Sequence, residues 1–524
     1  MAPEISCNHP LPARVCLSML SPLPASKWNY TTAAHLLNRA GFGGSPADIE
    51  KLTAMTPTEA VAYFVDYEKI PDTAPPPPDW AKPDPDRTEQ YQKIQRMFKE
   101  DKDSAKTEAE KTAEAEKRRQ MVQQIQRDQY KDLQEMRFDW LQRMATGPRP
   151  LQEKLTLFWH GHFATSAVKV KNPYFMWRQI DTFRQKGTGN WLDLLEAAAT
   201  DPAMLIWLDQ AQSRQAHPNE NFARESMELF ALGEGHYTEK DVTEAARAMT
   251  GWSLDRPSES YIYRPRIHDN GVKTVLGKTG NLDGHDVLEI IVAQPQAARF
   301  ITGKLWKFFA SDNPPDAELA EALADNFRSG GNNFAPFLRT LFSCEEFYAK
   351  EVMNNQIKSP VQWLISSVRL LQRDLPPSIV STQMIKSLGQ DLLLPPNVKG
   401  WDGGLSWITT NTLLARYNQA AILVMGEGNL GATGERRAGK VAERANEMAR
   451  QLRPADVEKI ISNEDRHDAN TIIAKLEKRF IQGQLTEPHR QVLREYLEPR
   501  TDLNDQDIRH AIRLLMSTPE YQVT

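Results

Sequence analysis

Apolar residues recur at three- and four-residue intervals through most of the chain, the spacing of helices that bury one face. After Trp28 the series Ala33, Leu36, Leu37, Ala40 predicts a helix ended by Gly41-Phe42-Gly43-Gly44, with Ser45 and Pro46 starting the next as N-cap and first helical residue. Pro150 opens another, in which Leu151, Leu155, Phe158, Trp159 and His162 share one side, so that His160 and His162 end a largely buried helix around Gly161. Short amphipathic segments follow at Trp177, Ile180, Phe183; at Trp191, Leu194, Leu195; and at Met204, Leu205, Trp207, Leu208.

The densest signals lie in 217–252, HPNENFARESMELFALGEGHYTEKDVTEAARAMTGW. Asn219 or Asn221 can cap a helix that Gly233 closes in the left-handed conformation. Phe222, Ala223, Ser226, Leu229 and Phe230 form its packing side; Asn221, Arg224, Glu225 and Glu228 gather on the other. Thr238 with Asp241 three residues on resembles a capping box for a second helix carrying Val242, Ala245, Ala246 and Met249. Between Ser253 and Leu282 the periodicity fails. Alternation at Tyr261-Ile262-Tyr263 and three glycines predict a small hairpin or ordered loop. Asp283 and Asp286 then cap a helix with Val287, Leu288 and Ile291, and Pro295 opens one with Ile301, Leu305, Phe308 and Phe309.

Two polar stretches interrupt this pattern. Residues 71–85 are proline-rich and extended, and 86–147 hold no Pro or Gly before Gly147, with Lys99 to Gln120 almost wholly charged or small and polar. Apolar residues return at Met121, Ile125, Leu133, Met136, Trp140 and Met144, which predicts a helical hairpin docked at its C-terminal end, the alternative being a disordered charged insert. FLRTLFSCEEFYA at 337–349 is echoed by AIRLLMSTPEYQV at 511–523, each a helix end with a serine and a glutamate three residues on, too little for a repeat fold. LPPNVKGWDGG at 394–404 is a turn-rich loop able to line or cover a pocket.

The fold class that follows is mainly α: a large multi-helix globular core, a protruding charged helical arm, and a small irregular or β-hairpin insertion near 255–282. We divide the chain into an N-terminal tail (1–28), N-terminal helices (29–70), a proline-rich linker (71–85), the arm (86–147), the main core (148–425), a linker or surface helix (426–448) and a C-terminal helical section (449–524).

A length of 524 residues, 40% hydrophobic and 25% charged, suffices for one large core or for two to three domains. The formal charge of −5 gives no general attraction to nucleic acid or anionic membranes. Cys7, Cys16 and Cys344 cannot build a four-thiolate zinc site. No apolar run approaches the roughly 18 residues of a membrane span; Val15 to Leu23, between Arg14 and Pro24-Ala25-Ser26, is a poor secretory signal.

LLNRAGFGGSPADIEKL, LTLFWHGHFATS, DPAMLIWLD, NENFARESMELFALGEGHYTEKDVTEAARAMTGW, HDNGVKTVLG, SPVQWLISSVRLL and PPNVKGWDGG occur in this order from about Asn29 to Arg416. As an ordered set they resemble the uncharacterised bacterial family catalogued as Domain of Unknown Function 1800. The resemblance implies a bacterial source and, through export-like relatives that lie beside a sulfatase-like family, an envelope role with a sulfatase-like partner; it supplies no catalytic residues.

Candidate chemistry comes from the polar residues inside packing-competent helices. His160 and His162, with Glu225, Glu228, His268 and Asp269, are the residue types that hold zinc, iron or manganese with a position left for water or substrate. His160, His162, His268 and Asp269 are the expected ligands and Glu225 and Glu228 the catalytic carboxylates. Residues two apart on a helix point about 200° apart, so both histidines reach one metal only if the helix unwinds at Gly161. The competing reading has hydrogen-bonded histidines packed on Trp159 and Phe163, and glutamates in salt bridges. The glutamates alone can also serve as a metal-free acid and base. Lys273 and Arg224 can hold an anionic group, or equally pin a loop to the core. Ser226, on the packed face with no nucleophile elbow, is rejected as a nucleophile. Two functions follow: a metal-dependent hydrolase or modifying enzyme, or a non-catalytic helical scaffold for a sulfatase-like enzyme.

Overall fold

The computed structural model describes residues 19–84, 86, 89, 96, 107–430, 439–500 and 503–524. The protein is mainly α, with two small antiparallel hairpins: Trp252–Asp255 pairs with Ser260–Tyr263, and Lys273–Val275 with Lys278–Gly280. The irregular stretch expected near 255–282 is thus two hairpins, the first starting at Trp252.

Helix starts follow local chemistry. Ser45 and Thr56 each cap a helix with Pro at its first turn, and the side chains of Asp48 and Glu59 bond back to complete capping boxes. Asp283 with Asp286, and Thr238 with Asp241, do the same further along. The echoed segments use their glutamates differently from a capping box. Glu346 accepts the backbone N–H of Leu20 at 3.0 Å and Glu520 that of Thr486 at 3.1 Å, so each ties a distant strand of chain to a helix end.

The core is aromatic. Trp159, from the helix Pro150–His162, stacks on Phe163 and Trp191, meets Phe334 edge-on, and donates its indole N–H to Gly187 O at 3.0 Å. The arm's second half is the helix Glu108–Thr146, which docks at its C-terminal end through buried Met136, Trp140, Leu141 and Met144. Arg137 fixes it by donating to Leu392 O at 2.8 Å and pairing with Asp391 at 2.9 Å. Most of the expected hairpin's first limb lies outside the described residues. The proline-rich segment runs along this helix, held by Arg143 on Asp72 and Trp80 Nε1 on Glu135.

The helix Thr410–Met425 closes at Gly426 in left-handed geometry, and a helix at Gly439–Ala449 follows 431–438, which are not described. The C-terminal section packs back on the body: Asp505–Met516 lies against Thr410–Met425, and Val523 bridges Ile357. Among the described residues no helix is long and apolar enough to cross a membrane.

Candidate functional site

The helix that begins at Asn219, which caps it by accepting from Phe222 N at 3.2 Å, does not run regularly to Gly233. At Glu228–Leu232 it widens into a π-turn, and Gly233 ends it at φ +86° and ψ 164°, a positive-φ conformation other than the expected left-handed one. A π-turn pushes carbonyls out of the usual ladder. Here Leu229 O accepts from Lys304 Nζ at 3.1 Å, and Phe230 O accepts from His162 Nε2 at 3.0 Å.

That second contact fixes the His162 tautomer. Nε2 must carry the proton to donate to a carbonyl, so Nδ1 is a lone pair, and Lys304 Nζ donates to it at 3.2 Å. Burial, with the nearby Lys304 charge, holds this imidazole neutral, its pKa well below the usual histidine value. His160 points away from it, as residues two apart on a helix must. Its Nε2 accepts Leu393 N–H at 3.1 Å, its ring lies between Trp140 and Trp401, and burial followed by the Arg137 charge lowers its pKa to about 3.

The other predicted residues are distributed over the fold. Arg224 makes a bidentate pair with Glu239 at 2.7 Å on the surface. His268 Nδ1 lies 2.8 Å from Thr250 O, and Asp269 is gripped by Arg247 at 2.8 and 3.2 Å, which holds its carboxyl below the usual range. Lys273, buried in the second hairpin, donates to Leu282 O at 2.8 Å. The 268–273 loop is therefore pinned to the core, and Lys273 and Arg224 do not form a joint clamp. Ser226 is buried and donates to Phe222 O. Among the described residues no three His, Cys, Asp or Glu side chains gather as metal ligands, so His160, His162, His268 and Asp269 do not meet as a set.

What does converge is a cavity of about 460 Å3, lined by His162 and Glu228 together with Lys154, Lys304, Lys307, Lys358 and Lys399. Phe158, Phe300, Phe308, Trp401 and Trp407 supply aromatic walls. Glu228 accepts a hydrogen bond from the Tyr237 hydroxyl. Glu225, one turn before it, has its pKa raised by burial and by the Glu228 charge, an effect Arg224 and Lys399 oppose. Burial and the same Glu228 contact push the Tyr237 hydroxyl up to about 12.

The 394–404 loop lines this cavity because two glycines let it. Gly400 sits at φ +80°, and a Cβ there would lie 2.2 Å from Gly161 O. The loop can thus press on the end of the histidine helix and carry Lys399, Trp401 and Asp402 along the wall.

The lysines are the part that sequence reasoning missed. Lys154 is bonded to Gln362 Oε1 and lies 4.9 Å from the Phe42 ring centre. Lys358 donates to Tyr521 O at 2.7 Å, 3.9 Å above the tyrosine ring. Burial and the Arg39 charge take the Lys154 ammonium well below its ordinary pKa; burial and Arg416 bring Lys358 to about 7; burial and Lys307 bring Lys304 to about 8. The signal was present for two of them. Lys154 falls on the apolar stripe of its helix between Leu151 and Phe158, and Lys304 between Ile301 and Phe308. Lys358 precedes a helix cap, where no periodicity marks it.

No curated protein and no solved structure matches the chain. A family model described as "Protein of unknown function (DUF1800)" matches residues 35–523. Nearly the whole chain is covered, and the protein belongs to the DUF1800 family.

Proposed function

We propose that the protein is an enzyme, a hydrolase or modifying enzyme, acting on a small organic substrate in the 460 Å3 cavity with Glu228 and Glu225 as its proton-transfer pair. The observation that carries this reading is that Glu228 opens on the same aromatic-walled cavity as His162, with Glu225 beside it. Glu228, which lines the cavity, is assigned the proton acceptor's role; Glu225, whose pKa burial and the Glu228 charge raise, is the member that holds a proton more readily. A zinc, iron or manganese ion at this pair would need a further ligand, and both ring nitrogens of His162 are already engaged. The chemistry is therefore assigned to the chain's own carboxylates.

The test is turnover of a panel of p-nitrophenyl carboxylate, phosphate and sulfate esters by wild type and Glu228→Gln. A fall of roughly 10²- to 10⁴-fold in the variant, with unchanged folding, is expected for loss of a general base. Full turnover in Glu228→Gln contradicts the assignment.

The scaffold reading draws on a different observation: Arg224, His268, Asp269 and Lys273 are each satisfied within the chain. Copurification of a sulfatase-like partner that is lost on truncating the arm before Met121 would favour it, and turnover sensitive to Glu228 would count against it.

A further inference from the structure

We infer that the inner wall of this cavity is an oxyanion subsite, in which Lys154, Lys304 and Lys358 receive a phosphate, sulfate or carboxylate group of the ligand. The inference shares with the enzyme reading only its choice of cavity, and it names the substrate class: an anionic organic molecule with an apolar or aromatic body.

An ammonium taken out of water is retained in proteins when a carboxylate pairs with it, and otherwise it lowers stability or loses its proton. Lys154 is 7% exposed and Lys358 5%, and Lys304 is half-buried. None of the three has a carboxylate oxygen within 4.0 Å among the described residues, although ion pairs are plentiful elsewhere in the fold. Two further buried cations stand behind them. Arg39, 1% exposed, donates to Val352 O and Thr524 O; Arg416, also 1% exposed, donates to Lys358 O. The chain as a whole is acidic, at −5, so this concentration of positive charge is local.

The cavity is also lined by Glu228, Glu234, Asp312 and Asp402, but none pairs with these three lysines: Glu228 accepts from Tyr237, and Asp312 accepts from Ile357 N and faces the charges of Arg39 and Lys307. An ammonium has three N–H donors. Lys154 and Lys358 each use one on the protein and Lys304 uses two, which leaves two, two and one for a ligand. Oxyanions accept several such bonds at once, and each charge-assisted bond is about twice as strong as a neutral one. The aromatic walls at Phe158, Phe300, Phe308, Trp401 and Trp407 then suit the uncharged remainder of the ligand. Lys273 and Arg479 are likewise buried without an ion pair among the described residues, each donating to backbone carbonyls, but here three such ammoniums line one cavity, and local rules are broken most often at functional sites.

The test is thermal unfolding and calorimetric titration of the full chain below pH 7, with inorganic phosphate, sulfate and acetate added separately against sodium chloride of equal ionic strength. At least one oxyanion raises the unfolding temperature saturably, and comparison of the three identifies the group preferred. Lys154→Met and Lys358→Met weaken that binding by roughly tenfold or more, the expected loss of one charged hydrogen bond, while remaining at least as stable as wild type without anion. Lys304→Met, on the more open wall, serves if a deeper change unfolds the chain. Wild type that responds to no oxyanion beyond the salt control, or methionine variants that bind as wild type does, overturns the inference. Saturable binding together with full turnover in Glu228→Gln removes the acid–base reading and leaves the subsite. Loss of turnover in that variant with no oxyanion binding does the reverse.

Discussion

Replacing the Lys358 ammonium by the thioether of methionine keeps a similar stem in place and removes a desolvated charge. Its pKa falls from the ordinary 10.5 to about 7 in the fold, so between these values the unfolded chain binds more protons than the folded one. Stability therefore rises with pH from 7 upward and is lowest below it; Lys304, lowered to about 8, adds in the same direction. Between pH 7 and about 9, below the ionisation of unfolded tyrosines, wild type gains stability with pH. In Lys358→Met the gain is smaller, and the variant is the more stable protein at pH 6. Urea denaturation at both pH values checks this, the difference at low pH being on the order of a few kcal/mol. Equal slopes in the two proteins would mean that Lys358 keeps its ordinary pKa and stays fully charged in the fold. At this scale the sequence is a poor guide. A lysine on an apolar stripe reads as a snorkelling side chain until its surroundings are known, and the absence of a carboxylate near it is a fact about many distant residues.

At the scale of elements, the decisive contact is between the end of Pro150–His162 and the 394–404 loop. Gly400→Ala places a methyl 2.2 Å from Gly161 O at a φ that disfavours any side chain, so the loop must shift. The expected cost is about 1–3 kcal/mol with impaired ligand binding. Gly161→Ala meets nothing within 4 Å, and its folded state is expected to be as stable as wild type or more so, as alanine in a helix usually is. Thermal unfolding of the pair checks this; equal effects would mean the loop does not rest on the helix end. Thr238→Ala, which removes a capping box already legible in the sequence, is expected to cost about 1 kcal/mol. Caps, proline starts and apolar stripes were readable because each depends on a few neighbouring residues. The π-turn at Glu228–Leu232 was not, because its carbonyls are drawn outward by His162 and Lys304, which arrive from 68 and 75 residues away in sequence.

For the whole molecule, fold class and family were visible in the chain, and the gathering of the proposed ligands was not. His160 and His162 were placed on the right helix, yet the 3.6-residue period that located them also turns them to opposite sides, one under the arm and one into the cavity. The arm is part of this division, since Trp140 packs edge-on against His160 at 5.5 Å and is 2% exposed. Trp140→Ala is expected to lower global stability by about 3–5 kcal/mol in a single denaturant transition. A separate early transition would show that the arm unfolds independently of the core.

Whether the lysine-lined cavity receives an oxyanion can be read from crystals of the protein soaked in selenate, with diffraction measured at the selenium edge. An anomalous peak is expected within hydrogen-bonding distance of at least two of Lys154, Lys304 and Lys358, and absent from crystals of Lys358→Met; peaks confined to the surface, with the cavity empty of selenium, would overturn the oxyanion subsite.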